Sequence, residues 1–291
     1  MSLITILISL VLERFIGYLD EVRQLDWFRQ YGAWLREKLG GIADGITGVV
    51  VILIGPALVV WGVTELLDDL LLGLLEIVFG IAVLIYTLGP RDLHSDVEAY
   101  MEASAGEDEE RIKTAAGHLT GGEPPEDPVE RLRAVVGSIF VEANNRMLAV
   151  LFWFVILGPM GAVLYRLSHE LVKNAEADSN LKRAAEAWLA LADWIPARLT
   201  ALFYALTGHF EDTLPILRRY LVTSLADLPA SNRALLREAG TVGVELEESL
   251  QEELDTTQVS VIVTMASNMV MRTLVLAVLV LAIGTLGGWI S

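Results

Sequence analysis

The sequence predicts an all-α, polytopic integral membrane protein with four to six membrane helices and helical cytoplasmic segments. Three observations carry that expectation. Hydrophobic residues make up 54% of the 291, and the mean hydropathy is +0.51. Several apolar runs approach the roughly 20 residues that a helix needs to cross a bilayer. The acids, which set a net charge of -17, gather between those runs rather than in them. That charge argues against nucleic acid and against anionic headgroups as main partners, since both need a basic footprint. With no cysteine, disulfides, thiolate nucleophiles and cysteine metal sites are excluded. The four histidines show no HxxxH spacing, so no zinc signature is present. No GxxxxGK[ST] or GxGxxG nucleotide loop occurs either.

From the N-terminus, Ser2 to Leu12 is apolar and ends on Glu13-Arg14, with no basic region before it and no small-residue cleavage site after it. This reads as a retained first membrane helix rather than a cleaved signal. Between Ile16 and Asp44, Arg23, Arg29, Arg36 and Lys38 interleave with Trp27, Tyr31 and Trp34, the pattern of an amphipathic helix in the membrane interface. Ile46–Leu67, broken by Gly55-Pro56, and Leu70–Leu88, with Glu76 inside it, form a tight hairpin of two spans. Their turn, Asp68-Asp69, has no basic residue and so belongs outside the cytoplasm. By alternation the N-terminus is outside and residues 90–146 are cytoplasmic.

That stretch reads as helices over Asp96–Ala105 and Glu107–Leu119, a break at Gly121–Pro128, and a new helix that Pro128 opens. Met147–Tyr165 is a third span, kinked at Gly158-Pro159. Its Trp153 is too deep for an interfacial belt and should pack against another helix. Trp188–Leu206 is apolar but contains Asp193, Pro196 and Arg198, a set suited to a half-buried or cavity-lining helix. Whether it crosses decides the topology after Tyr165. His209–Gln258 is a second soluble helical segment, with Glu245–Asp255 a solvated helix. Val259–Ile290 closes the chain, with Arg272 snorkelling and Gly284/Gly288 spaced as in a homodimer face. The domain expectation is therefore a membrane region at 1–89, an acidic helical region at 90–146, a core membrane region at 147–208, a soluble segment at 209–258 and a final span at 259–291.

Polar groups at the ends of spans supply the candidate ligand-binding residues, because charge is expensive in hydrocarbon. Glu13 pairs with Arg14 as a pocket carboxylate or as a snorkelling couple. Glu142, Asn144 and Asn145, followed by Arg146, could hold a polar headgroup or a metal-phosphate, or simply cap the helix entrance. Arg166 and His169 mark the exit of the same span. Asp193 and Arg198 flank Pro196, which should break the helix. A broken helix frees backbone donors, and Arg198 offers a phosphate or carboxylate fork; the alternative is an internal Asp-Arg pair holding the kink. No catalytic residue is singled out and no metal site is expected.

Several stretches together resemble the AmpE family of bacterial inner-membrane proteins, which is related to the adenosylcobinamide-phosphate synthases CobD and CbiB. They are Leu10-Val-Leu-Glu-Arg14, Leu88-Gly-Pro-Arg-Asp-Leu93, Ala149-Val-Leu-Phe-Trp-Phe154 with Gly158-Pro-Met-Gly-Ala162 and Tyr165-Arg166, and Trp194-Ile-Pro-Ala-Arg-Leu-Thr200. The synthases resemble a pattern with two glutamates, an asparagine and an aspartate ahead of the Leu-Phe-Trp span. Here Gly137 and Val141 stand at the glutamates, Glu142 at the asparagine and Asn145 at the aspartate. After the span, His169 and Val172 stand where the enzymes resemble asparagine and aspartate, and Asp193 replaces an asparagine before the shared Pro-Ala-Arg-Leu-Thr.

Amide ligation through an acyl-phosphate needs magnesium ligands and charge neutralisation, so these losses count against catalysis. The resemblance implies a regulatory or sensory protein in the signalling that links peptidoglycan recycling to β-lactamase induction. It implies a nucleotide (Mg-ATP) or a muropeptide as ligand, and a multi-pass location in the inner membrane. An ATP-dependent amide ligase with an altered site is the alternative. A transporter built on inverted repeats is disfavoured, because no matching halves are visible.

Overall fold

The computed structural model describes residues 2–15, 25–68, 73–88, 93–106, 108–221, 227–250 and 255–287. Among them every regular element is helical. In chain order they are α1 (Ser2–Phe15), α2 (Asp26–Leu39), α3 (Gly45–Asp68), α4 (Leu74–Thr87), α5 (Leu93–Ala105), α6 (Glu109–Thr120) and α7 (Pro128–Ala143). A π-helical turn over Asn144–Leu148 leads into α8 (Ala149–Asn174), followed by α9 (Asn180–Thr207), α10 (Phe210–Tyr220), α11 (Leu228–Gly243), the single turn α12 (Leu246–Ser249) and α13 (Thr256–Leu286). Four stretches among the described residues are long and apolar enough to cross a membrane: Gly45–Leu67, Pro128–Asn174, Asn180–Thr207 and Thr256–Leu286.

The chain divides into two compact units. The first comprises Met1–Pro90, Ala149–Trp194 and Val280–Ser291. In it α3 and α4 both pack on α8, and α1 packs on α4. The expected span over Leu70–Leu88 is shorter than its composition implies. Gly73, in the left-handed conformation open to glycine, starts α4 only at Leu74. Its 14 residues rise about 21 Å against a hydrocarbon core of roughly 30 Å. Glu76 consequently lies in the first turn of α4, where a carboxylate favours the helix dipole, and not in mid-span. The Asp68-Asp69 turn lies outside the described side chains, as does Gly288 of the GxxxG.

Two other expected breaks resolve differently. α3 runs through Gly55-Pro56 without interruption. α8 does kink, at Gly158, whose φ of 65° and ψ of -156° only glycine adopts readily, directly ahead of Pro159.

The second unit comprises Arg91–Leu148 and Ile195–Leu279. It joins the two segments read as separate soluble regions, because α7 and α10 both pack on α11 while α5 and α6 pack together beside α7. Asp108 caps α6 by accepting the Arg111 N–H, and Asp127 caps α7 by accepting the Glu130 N–H, with Pro128 in the first turn. The core is built from Leu132, Val135, Ile139, Phe140, Tyr204, Leu235 and their neighbours. Phe140 and Tyr204 meet edge to face at 5.1 Å, and the Tyr204 hydroxyl donates to the Phe140 carbonyl at 2.8 Å. Of the helix expected over Glu245–Asp255 the described residues show α12, entered through Glu245 in a left-handed conformation at φ 53°, while residues 251–254 lie outside the described residues.

Candidate functional site

In the second unit a run of buried polar side chains is organised by the π-helical turn. π-turns insert an extra residue per turn and re-aim side chains, and they occur often at functional sites. Arg146 donates from Nε to Glu142 and from Nη1 to Asp96, both at 2.7 Å. Asn145 donates to the other Glu142 oxygen at 3.4 Å, and Asn144 donates to the side-chain Oδ1 of Asn145 at 3.3 Å. Thr200 of α9 completes the run by donating to Asn144 at 2.9 Å. Asp96, Asn144 and Thr200 are buried.

Three of the sequence-derived candidates, Glu142, Asn144 and Asn145, are thus brought together. Asp96 and Thr200 join them without having been singled out. Nothing local to Asp96 marks it, for its partner lies 50 residues away. The geometry bears on chemistry: both carboxylates accept from Arg146, and a metal-phosphate would have to exchange with that guanidinium to reach them.

Arg198 occupies a separate place in this unit. It is buried, donating from Nη1 to Asn232 at 2.9 Å and from Nη2 to the Tyr220 carbonyl at 2.7 Å. A guanidinium at the last carbonyls of α10 satisfies acceptors that the helix end leaves open. Its present work is to tie α9 to α10 and α11.

The remaining candidates lie in the first unit. Asp193 accepts the Tyr165 hydroxyl at 2.5 Å. His169 stands edge-on to Tyr165 at 4.9 Å, and Arg166 donates to Glu170 at 3.0 Å, one turn on and almost fully buried. Trp188 donates to Ser168 at 3.0 Å. Glu13 sits half-buried in the last turn of α1, and the side chain of Arg14 lies outside the described residues.

Of these candidates Asp193 belongs to the first unit, and Arg198, Glu142 and Asn145 belong to the second. The expected helix break at Pro196 is revised, since α9 is continuous from Asn180 to Thr207. Proline cannot donate to the carbonyl four residues back. That carbonyl, of Ala192, instead accepts the indole N–H of Trp153 at 3.2 Å. So Trp153 does pack on another helix, and it fills the gap that Pro196 leaves.

An open cavity of about 530 Å³ lies elsewhere, at the C-terminal end of α6, lined among others by Lys113, Gly117, His118, Glu123 and Glu126. Lys113 donates to Glu126 at 2.5 Å, and this hydrogen bond holds the Glu126 carboxyl below its ordinary pKa.

The family model described as "Regulatory signalling modulator protein AmpE" matches residues 1–288. The chain belongs to the AmpE family. It is 30% identical over 231 residues to "Protein AmpE" of Shigella flexneri, covering 74% of this chain and 77% of that protein. It is also 30% identical over 208 residues to "Cobalamin biosynthesis protein CobD" of Chromobacterium violaceum. That match covers 69% of this chain but 64% of the relative's length. A second CobD, of Stutzerimonas stutzeri, is 34% identical over 119 residues, 39% of this chain and 38% of its own. No solved structure matches. Family membership together with four apolar spanning helices makes this AmpE-family chain a multi-pass membrane protein.

Proposed function

We propose that the chain is a ligand-responsive regulatory protein of the bacterial inner membrane, acting in the signalling that couples peptidoglycan recycling to β-lactamase induction. The buried network centred on the π-turn serves as its sensing element. The observation that carries the reading is the closed ion pairing of Arg146 with Asp96 and Glu142. A ligase passing through an acyl-phosphate must present carboxylates to magnesium and phosphate. A sensor needs a satisfied network that a ligand can re-partner, shifting a two-state equilibrium by its differential affinity for the two arrangements. The family description, a regulatory signalling modulator, supports the same reading.

An altered ATP-dependent amide ligase is the second reading, favoured by the 30% identity to a cobalamin biosynthesis protein. The test uses full-length protein in detergent, wild type beside Glu142→Gln, offered Mg-ATP and a muropeptide separately. A sensor is stabilised by its ligand by about 2.7 kcal/mol at a hundredfold excess over Kd, without turnover. The Glu142→Gln variant loses that gain while keeping its fold. ATP consumption coupled to amide formation, and abolished in the variant, would overturn the regulatory reading in favour of the enzyme.

A further inference from the structure

Helix α2 divides into three sectors. Successive residues turn by about 100°, so positions four and seven apart share a flank. One flank, with Phe28 and Leu35, is buried against the unit. The opposite side carries Asp26, Arg29, Gln30, Ala33 and Glu37, all exposed. Between them runs an aromatic flank of Trp27, Tyr31 and Trp34, ending on Lys38 one turn further. Trp27 and Trp34 are 45% and 53% exposed, and Tyr31 and Trp34 stack at 6.5 Å. A water-facing helix has no use for two exposed tryptophans on one line, and a fully buried helix would not carry the charged side.

The placement of α2 says what covers that flank. The Trp27 indole donates to the Tyr86 hydroxyl at 2.7 Å, in the last turn of α4, where an apolar helix ends. At its other end a short 3-10 turn over Gly40–Ala43 leads straight into α3. The exposed apolar residues that follow along the chain are Ile42 and then Ile46, Val50, Ile54 and Leu58 of α3, four apart on one face of a helix able to cross the membrane. The flank is thus continuous along the chain with a lipid-facing stripe and is fixed to the end of an apolar helix. Tryptophan and tyrosine favour that depth because one edge is apolar and the other polar, and a lysine there lays its stem along the lipid while its ammonium reaches the phosphates.

We propose that α2 is a lipid anchor whose Trp27–Tyr31–Trp34–Lys38 flank takes the glycerol and phosphate region of a zwitterionic phospholipid leaflet, while its charged side faces water. The inference is independent of the ligand reading above. The natural chain has no cysteine, so single cysteines can be placed without background. Trp34→Cys and Lys38→Cys report the aromatic flank, and Arg29→Cys and Ala33→Cys report the charged side. Each variant of the full chain is spin-labelled and placed in phosphatidylcholine nanodiscs. Collisions with oxygen, which partitions into lipid, are then compared with collisions with a water-soluble nickel chelate.

The expected result is a severalfold excess of oxygen over nickel collisions at positions 34 and 38, and the reverse at 29 and 33. Nickel access at 34 and 38 equal to that at 29 and 33 would place the flank in water and overturn the proposal. Protection of 34 and 38 from both reagents would overturn it in favour of a second copy of the chain as the cover. Because Lys38→Cys leaves all three aromatic residues in place, the test survives a failure of Trp34→Cys to fold.

Discussion

Replacing Trp153 by phenylalanine keeps an aromatic ring in place and deletes the one N–H that the structure directs at the Ala192 carbonyl. That carbonyl matters because Pro196, four residues on in the same helix, cannot bond to it. A hydrogen bond of this kind contributes about 0.5–1.5 kcal/mol net in proteins, and interhelical bonds within membranes average about 0.6. We therefore expect Trp153→Phe to cost about 1 kcal/mol from the lost bond, roughly a fivefold shift in the folding equilibrium, plus a packing term for the smaller ring. The bond and the packing separate in a double-mutant cycle with Pro196→Ala. Alanine at 196 restores an N–H aimed at the Ala192 carbonyl, so in that background only the packing cost of Trp153→Phe remains. The assay is reversible unfolding in mixed dodecyl maltoside and SDS micelles, followed by circular dichroism. Equal costs of Trp153→Phe in the two backgrounds would refute the argument that Trp153 serves the carbonyl left open by Pro196.

Three further outcomes are expected. A side chain added at Gly240 would place its Cβ 2.1 Å from Cγ of Phe140, so Gly240→Ala should destabilise the packing of α7 on α11 by about 1–3 kcal/mol, read as a lowered midpoint in thermal unfolding. Arg146→Met should cost about 3–5 kcal/mol, because it strands the Asp96 and Glu142 carboxylates in a largely buried setting, and adding Asp96→Asn should recover part of that loss in the same micellar unfolding assay. Arg133 donates to both oxygens of Glu247, at 2.7 and 2.8 Å, and these bonds hold the Glu247 carboxyl below its ordinary value. A carboxylate lowered in the folded state adds stability above its unfolded pKa and loses it as pH falls through the folded one, so a stability titration from neutral to acid should be flatter in Glu247→Gln below about pH 5. Both partners are substantially exposed, so the effect should be small and should fade at high salt.

Which parts of this were legible in the sequence follows from how local each signal is. The helix that Pro128 opens, the Gly158-Pro159 kink and the helical spans are written in neighbouring residues, and composition alone points to an integral membrane protein. The length of α4 was misread because its apolar run continues N-terminally past Gly73, and apolar composition carries no information about where a glycine turns the chain. The break at Pro196 was misread for a related reason. Proline removes a donor, but whether the helix then opens depends on whether something distant satisfies the freed acceptor, and here Trp153, 39 residues away, does so. In the same way Glu142, Asn144 and Asn145 could be picked out as a polar entrance. Their meaning depended on Asp96 and Thr200, which only the folded chain brings to them.

The pattern of satisfaction is itself an argument about function. In a low-dielectric setting an unpaired polar group costs more than most ligands can repay, so resident partners are expected wherever the site must persist without its ligand. Arg198 donates to Asn232 and to the end of α10, which makes it a strut of the scaffold. Arg146, by contrast, bridges two carboxylates on a π-turn, a piece of backbone that can return to regular helix by shifting one residue. A ligand offering an anion to Arg146 together with donors to Asp96 and Glu142 would exchange partners there without stranding a charge, whereas a ligand at Nη2 of Arg198 would displace the Tyr220 carbonyl at the end of α10. On the regulatory reading proposed above, the π-turn is therefore the place where a ligand is sensed, and Arg198 ties the surrounding helices together.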